Sequence, residues 1–113
     1  MKLAIVGSRT FNDHSLLERT LLRVRTPITE IVSGGARGAD SLAARWAHVH
    51  GVPLKEFLPD WKKYGKSAGF RRNREIVEYA DTVLAFWNGV SKGTQDDIKL
   101  VHEMGKLYHV IRF

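Results

Sequence analysis

Short apolar runs alternate along this chain with longer segments in which apolar residues recur every three or four positions. The apolar runs cover residues 2–6, 28–33, 53–58, 82–86 and 107–111. The segments between them have the spacing of amphipathic helices over about 14–25, 39–50, 68–79 and 95–104. This alternation predicts an α/β fold in which helices pack on both faces of a parallel sheet.

Capping and helix-ending residues stand at the borders of these segments. Asn12 and Asp13 are suited to cap the first helix, and Pro27 ends it. Gly51 and Gly105 follow the second and last helices, where glycine commonly ends a helix. The third run is the weakest, because it contains Lys55 and Glu56, and residues 59–66 read as a basic, aromatic loop.

The connections are short, so the order of the strands in the sheet follows from the handedness of the crossovers. Right-handed crossovers predict a Rossmann-like, three-layer α/β/α fold with five parallel strands in the order 3-2-1-4-5. Ligands of such sheets bind beyond the carboxyl ends of the strands, where the order reverses. That point lies between the first and fourth strands, so the loops 7–11 and 87–94 should meet there, beside 33–40.

The segment 33–40 is the strongest local candidate for ligand binding. A β-branched pair, Ile31-Val32, precedes it and a helical pattern follows, so it forms a glycine turn at a helix start. Such a turn exposes backbone N–H groups that bind phosphate. The predicted cradle comprises Ser33, Gly34, Gly35, Ala36, Arg37 and Gly38, with Arg37 adding a forked contact. The spacing excludes a nucleoside triphosphatase loop, and a plain strand-to-helix turn remains the alternative.

Asp40, at the end of this segment, is interpreted as a helix cap or a partner of Arg37. Gly7, Ser8, Arg9 and Thr10 follow the first strand, and they are candidates for binding ribose or phosphate or, alternatively, an ordinary polar loop.

Three further candidates lie later in the chain. Arg72 and Asn73 are near a helix start, where cations are unfavourable unless an anion compensates them. Trp87 ends the fourth strand and is expected either to stack on a base or to pack against a loop.

Composition narrows the class of protein further. The 113 residues predict one domain over 1–113, and the net charge of +6 favours anionic partners. There is no cysteine, no apolar run long enough to cross a membrane and no signal peptide at the start, so we expect a cytoplasmic protein without membrane contact. The five histidines lack metal-ligand spacing, so no metal site is predicted.

The loop 59–66 allows two interpretations. Trp61 and Tyr64 are mixed there with Lys62, Lys63 and Lys66. Aromatic side chains among lysines are typical of surfaces that bind single-stranded nucleic acid. A mobile lid over a phosphorylated ligand would have the same composition.

Four motifs in this order carry a family resemblance: Gly7-Ser-Arg-x-Phe11, the segment 33–40, Gly69-x-x-Arg72-Asn73, and the segment 86–94. Together they resemble the SLOG superfamily, which includes DprA and the LOG phosphoribohydrolases, and most closely its YspA-type, YpsA-related branch. The resemblance implies a Rossmann-like domain that binds nucleotides or nucleotide-derived ligands. LOG enzymes carry P-G-G-x-G-T-x-x-E; here Gly93 and Thr94 match the Gly-Thr pair, and Asp97 stands at the glutamate position, one methylene shorter.

We therefore expect a module that binds a phosphorylated, nucleotide-derived small molecule, with no other cofactor. A second form of this hypothesis adds hydrolysis of a nucleotide N-glycosidic bond, with Asp97 as the catalytic carboxylate. Because LOG relatives form dimers, we also expect a homodimer. The alternative, from another class, is a non-catalytic, DprA-like module that binds single-stranded nucleic acid through its basic surface.

Overall fold

The computed structural model describes residues 1–113 and has the predicted architecture. Five parallel strands are arranged in the order β3-β2-β1-β4-β5. The strands are β1 (Lys2–Gly7), β2 (Glu30–Ser33), β3 (Leu54–Glu56), β4 (Thr82–Trp87) and β5 (Leu107–Arg112). The helices are α1 (His14–Leu22), α2 (Ala39–Val49), α3 (Trp61–Tyr64), α4 (Ala68–Tyr79) and α5 (Lys92–Glu103), with a 3-10 turn at Gly65–Ser67. None of the helices has both the length and the apolar character needed to span a bilayer.

Two hydrophobic clusters hold the three layers together, one on each face of the sheet. Side chains alternate between the faces of a strand, so successive residues of β4 contribute to different clusters. Leu84 and Phe86 pack beneath α1 and α2, whereas Val83 and Ala85 pack beneath α4 and α5. The predicted sheet order and α/β class are therefore confirmed, and β1 and β4 lie side by side with Gly7 in register with Phe86.

Several element boundaries differ from the sequence prediction for local reasons. Helix α1 ends at Leu22 instead of 25, because the Arg23 N–H turns back to the carbonyls of Thr20 and Leu21. Its start is as predicted, since the Asp13 carboxylate accepts the Leu16 N–H at 2.9 Å.

Helix α5 begins three residues earlier than predicted. The Asn88 side-chain oxygen accepts the N–H groups of both Val90 and Ser91 at 2.9 Å and starts the turn there. The predicted loop 59–66 contains the one-turn helix α3, because the Asp60 carboxylate accepts the Lys63 N–H at 3.1 Å.

Candidate functional site

The loops that follow β1, β2 and β4 enclose a cavity of about 340 Å³ at the carboxyl edge of the sheet. Helices α4 and α5 complete its wall. The predicted candidates that line it are Gly7, Ser8, Arg9, Thr10, Ala36, Asp40, Arg72, Asn73, Gly93, Thr94 and Asp97. Its volume falls within the range of small-molecule sites in proteins.

Ser8 connects the three loops by backbone and side-chain hydrogen bonds. Its N–H donates to the Phe86 carbonyl at 2.9 Å, and its hydroxyl accepts the Asn88 N–H at 3.3 Å. Its carbonyl accepts the N–H groups of Phe11 and Ala39. The Ser8 side chain is almost fully buried, so its hydroxyl, which the sequence makes a candidate for ligand binding, is already used to position the loops. Phe11 is buried against Phe86, with ring centroids 4.5 Å apart, so it packs in the core and does not bind a ligand.

Gly38 allows the loops after β1 and β2 to touch. Its φ is +75°, a value that residues with a side chain rarely adopt. A Cβ at this position would lie 2.7 Å from the Cα of Arg9 and would also collide with the Ser8 carbonyl. Glycine is therefore required here both by the backbone conformation and by the approach of the neighbouring loop.

Two helices begin at the cavity, and neither has a side-chain cap. Helix α2 follows Gly38 and helix α5 follows Ser91, and no side chain bonds to their first N–H groups. The Ser91 hydroxyl instead lies 3.3 Å from the Thr94 hydroxyl. The first turn of a helix presents unpaired N–H donors and a partial positive charge. Both helix starts are thus suited to binding an anion in the same cavity.

Arg72 extends from α4 across the cavity floor to the loop after β2. Its Nη1 donates to the Gly34 carbonyl at 2.6 Å, and its Nε donates to the Asn73 side-chain oxygen at 2.9 Å. A Cβ on Gly34 would lie 2.6 Å from Nη1, so only glycine admits the guanidinium this close. Arg72 therefore holds the glycine loop in place as well as contributing positive charge.

Two buried carboxylates share this floor. Asp40 Oδ2 accepts the Ala36 N–H at 3.0 Å, and burial raises the pKa of Asp40, while that hydrogen bond and Arg72 lower it in part. Burial also raises the pKa of Asp97 well above its ordinary 3.8, and the charges of Asp40 and Asp96 raise it further. The Oδ1 atom of Asp97 is buried without a hydrogen-bond partner. Such an atom is suited to accept a hydrogen bond from a donor group of a ligand.

The lining is less electropositive than the sequence indicates. The cations Arg9 and Arg72 face the acids Asp40 and Asp97, so the formal charges balance when all four are ionised. Burial raises the pKa of both acids, so each takes up a proton more readily than an exposed aspartate does. Protonation of either acid leaves the cavity with an excess of positive charge.

The structure places six of the predicted residues outside the lining of this cavity: Ser33, Gly34, Gly35, Arg37, Gly38 and Trp87. Ser33 is buried behind the loop, and its hydroxyl lies 3.5 Å from the Asp40 carbonyl. Arg37 is exposed and lies outside the lining, and the cation that acts on Asp40 is Arg72, not Arg37. Gly34, Gly35 and Gly38 form part of the turn but do not line the cavity.

Trp87 takes the packing position among its two predicted alternatives. Its indole N–H donates to the Ser91 carbonyl at 3.0 Å, and the Arg112 guanidinium lies 5.2 Å from its ring. It lines a shallow groove along α5 with Lys99 and Tyr108. In this conformation the indole does not line the carboxyl-edge cavity.

Sequence reasoning missed four lining residues: Val6, Ile76, Asn88 and Ser91. Asn88 and Ser91 belong to a recognisable signal, since an Asx turn commonly precedes a helix. No sequence pattern identifies Val6 and Ile76, because they are core residues that also border the cavity.

A larger groove of about 690 Å³ lies elsewhere, between α1 and β5. Aliphatic side chains form its floor, and Arg19, Arg23 and Arg25 stand at its rim. The loops at the carboxyl edge do not reach it, so it is separate from the candidate site.

Comparison with known proteins yields one family, one relative in sequence and one similar solved structure. The model of the YspA, cpYpsA-related SLOG family matches residues 1–64, which include the glycine loop. The Gene 61 protein of Mycobacterium phage D29 is 36% identical over 113 aligned residues, covering 92% of this chain and 90% of that protein.

The X-ray structure of DNA processing protein A (DprA) from Streptococcus pneumoniae superposes with a TM-score of 0.81 at 20% identity. The match covers 99% of this chain and 50% of DprA, so the chain spans half the length of that protein. At this identity, the similarity establishes a shared fold.

Proposed function

We propose, from the premise that this chain belongs to the YspA, cpYpsA-related SLOG family, that its carboxyl-edge cavity binds a nucleotide or a nucleotide-derived phosphorylated ligand. The observation that carries the proposal is the meeting of two uncapped helix starts in one cavity of about 340 Å³. Backbone N–H groups in the first turns of both helices are available for a phosphate, apart from the Ala39 N–H, which donates to the Ser8 carbonyl.

Other groups in the lining of the cavity suit the nucleoside part of such a ligand. Asn73 and Asn88 offer amide groups there, and the Oδ1 atom of Asp97 lacks a hydrogen-bond partner. Free phosphate would leave that atom unsatisfied, which is unfavourable in a buried position. A ribose or base with hydroxyl or amino groups would satisfy it.

Thermal-shift assays with nucleoside monophosphates, NAD, ADP-ribose and inorganic phosphate test this proposal. A ligand at 100 times its Kd adds about 2.7 kcal/mol to the free energy of unfolding. For a domain of this size, that corresponds to a rise in Tm of roughly 10 °C. We expect the rise with at least one nucleotide and a much smaller one with phosphate.

Two arginines provide a matched pair of variants for the same assay. Arg9 lines the cavity, and Arg37 is equally charged and exposed but lies outside its lining. Arg9→Ala should weaken nucleotide binding severalfold, whereas Arg37→Ala should bind as the wild type does. Equal losses in both variants would indicate nonspecific charge attraction and contradict the assignment of the cavity.

We further propose that the bound ligand is hydrolysed at its N-glycosidic bond, with Asp97 as the catalytic carboxylate. The Asp97 carboxylate would accept a proton from water as the water oxygen bonds to the anomeric carbon. The carbon–nitrogen bond breaks, and its electron pair leaves with the base, which takes up a proton. Because burial raises the pKa of Asp97, the rate should rise with pH through that raised pKa.

Release of free base from nucleoside monophosphates, followed by chromatography, tests this step. Asp97→Asn should abolish release while nucleotide binding persists, and Asp97→Glu should retain part of the activity. Release that is unchanged in Asp97→Asn would remove this residue from the mechanism and leave the binding proposal intact. A homodimer remains part of the proposal, to be checked by light scattering as twice the chain mass of 12.8 kDa.

A further inference from the structure

The corner between β3 and α4 carries nearly all of the chain's excess positive charge. Between residues 60 and 74 there are six cationic side chains and one carboxylate, against a net charge of +6 for the whole chain. We call the exposed part of it the basic–aromatic corner, defined by Trp61, Lys62, Lys63, Lys66, Phe70 and Arg71. None of these residues lines the carboxyl-edge cavity.

Two large aromatic side chains of this corner are exposed to solvent. Trp61 is 55% exposed and Phe70 is 51% exposed, whereas the core residues Phe11 and Phe86 are at most 1% exposed. The other two tryptophans are engaged elsewhere, Trp46 by stacking on His50 and Trp87 by its hydrogen bond. The corner therefore presents aromatic faces that the fold itself does not use.

The cations around these aromatic faces have no acidic partners. The lysines 62, 63 and 66 are exposed and form no ion pair, and Arg71 donates from Nε to the Ser67 hydroxyl at 3.3 Å. Lys63 and Arg71 lie over the Tyr64 ring, 5.2 Å and 4.3 Å from its centroid. Positive charge without a local counter-ion attracts an anionic partner.

The backbone of the corner is held in a defined conformation. Asp60 caps the short helix α3, and the Ser67 hydroxyl donates to the Tyr64 carbonyl at 2.9 Å. The Trp61 ring lies over Gly69, where a Cβ would be 3.6 Å from the indole. The backbone that carries the aromatic rings and the charges is thus ordered in advance, which reduces the entropic cost of binding.

From this arrangement we propose that the basic–aromatic corner is a binding surface for single-stranded nucleic acid. Unpaired bases stack on exposed aromatic rings, and the phosphates of the strand contact the surrounding lysines and Arg71. A duplex hides its base faces and would use only the charges. The surface is separate from the cavity, so this inference stands independently of the proposed nucleotide binding.

Fluorescence anisotropy with a fluorescein-labelled deoxythymidine dodecamer tests the inference on the full chain. We expect binding that weakens with salt, and a weaker interaction with a duplex of the same length. The double variant Trp61→Ala, Phe70→Ala should lower the affinity about tenfold or more, because base stacking contributes about 1–3 kcal/mol per base. Trp61→Phe should retain most of the affinity, which distinguishes stacking from a folding defect.

Charge is tested by two triple variants with the same change in net charge. Replacing the lysines 62, 63 and 66 by alanine should reduce the slope of log K against log salt by about 2. Replacing Arg19, Arg23 and Arg25, which are also exposed, should leave that slope close to the wild-type value.

Each of these results would overturn the inference: no detectable binding of the dodecamer, equal losses in both triple variants, equal or tighter binding of the duplex, or wild-type affinity in the aromatic double variant. Displacement of the dodecamer by a saturating mononucleotide would place the strand in the cavity and would equally reject the corner. The thermal-shift response to mononucleotides is a separate measurement, so either proposal can fail while the other stands.

Discussion

Replacement of Gly38 by alanine should damage both the stability and the cavity of this protein. The φ of +75° at Gly38 is strained for any residue with a side chain, at a cost of about 1–3 kcal/mol. The new Cβ would also lie 2.7 Å from the Cα of Arg9, closer than real Cβ contacts, so the loops after β1 and β2 must separate. Together these effects should lower the free energy of unfolding by about 3 kcal/mol or more.

Gly105→Ala is the matched control, because Gly105 also has a positive φ, +66°, but no atom lies within 4 Å of a Cβ there. This substitution should lower the free energy of unfolding by about 1 kcal/mol, from backbone strain alone. In thermal melts, Gly105→Ala should lower Tm by roughly 4 °C and Gly38→Ala by roughly 12 °C. In the nucleotide thermal-shift assay, only Gly38→Ala should also lose ligand stabilisation.

The difference between the two variants isolates the contact between the loops. Equal Tm losses would mean that the approach of Gly38 to Arg9 contributes nothing, and the account of the cavity's construction would be refuted. A Gly38→Ala protein with wild-type ligand stabilisation would show that the cavity does not depend on this turn.

Variants at three further sites have defined outcomes. Burial raises the pKa of Asp97, so the folded chain binds this proton more tightly than the unfolded chain, and the free energy of unfolding falls as pH rises from about 3.8 through the raised pKa. In urea denaturation at a series of pH values, Asp97→Asn should flatten this fall. An unchanged pH dependence would contradict the burial argument. Arg72→Met should cost about 1.5–3 kcal/mol by chemical denaturation, since the Gly34 carbonyl loses a charged donor, and Arg72→Lys should recover only part of it. Phe11→Ala should lower the free energy of unfolding by about 3–5 kcal/mol, whereas Phe70→Ala, at an exposed position, should change it by no more than about 0.5 kcal/mol. Similar losses in the two variants would refute the assignment of Phe11 to the core.

The carboxyl-edge location of the site was predictable because it depends on topology alone. Once the strands are parallel and the crossovers right-handed, the ends of β1, β2 and β4 must come together. The loops that contain Ser8, Ala36 and Asn88 do meet at one cavity. Short connections and clear periodicity made the strand order deducible without any knowledge of side-chain contacts.

The roles of individual side chains within that edge were less predictable. Arg37, beside the glycines, faces outward, and Arg72, distant in sequence, hydrogen-bonds to the Gly34 carbonyl. Ser8 uses its hydroxyl on Asn88, and Trp87 turns toward α5. Each of these outcomes depends on which segment packs next to the residue, and a motif contains no information about that neighbour.

The sequence by itself determined the α/β class, the order of the strands and the edge at which polar loops gather, because these depend on local periodicity and chain handedness. Only the tertiary structure decided that Asp40 and Asp97 share a buried floor with Arg72, and that Trp61 and Phe70 remain exposed. Burial and the distance between charges arise from contacts between segments far apart in the chain. The pKa values and surfaces that govern the proposed functions therefore arise only when those segments pack together.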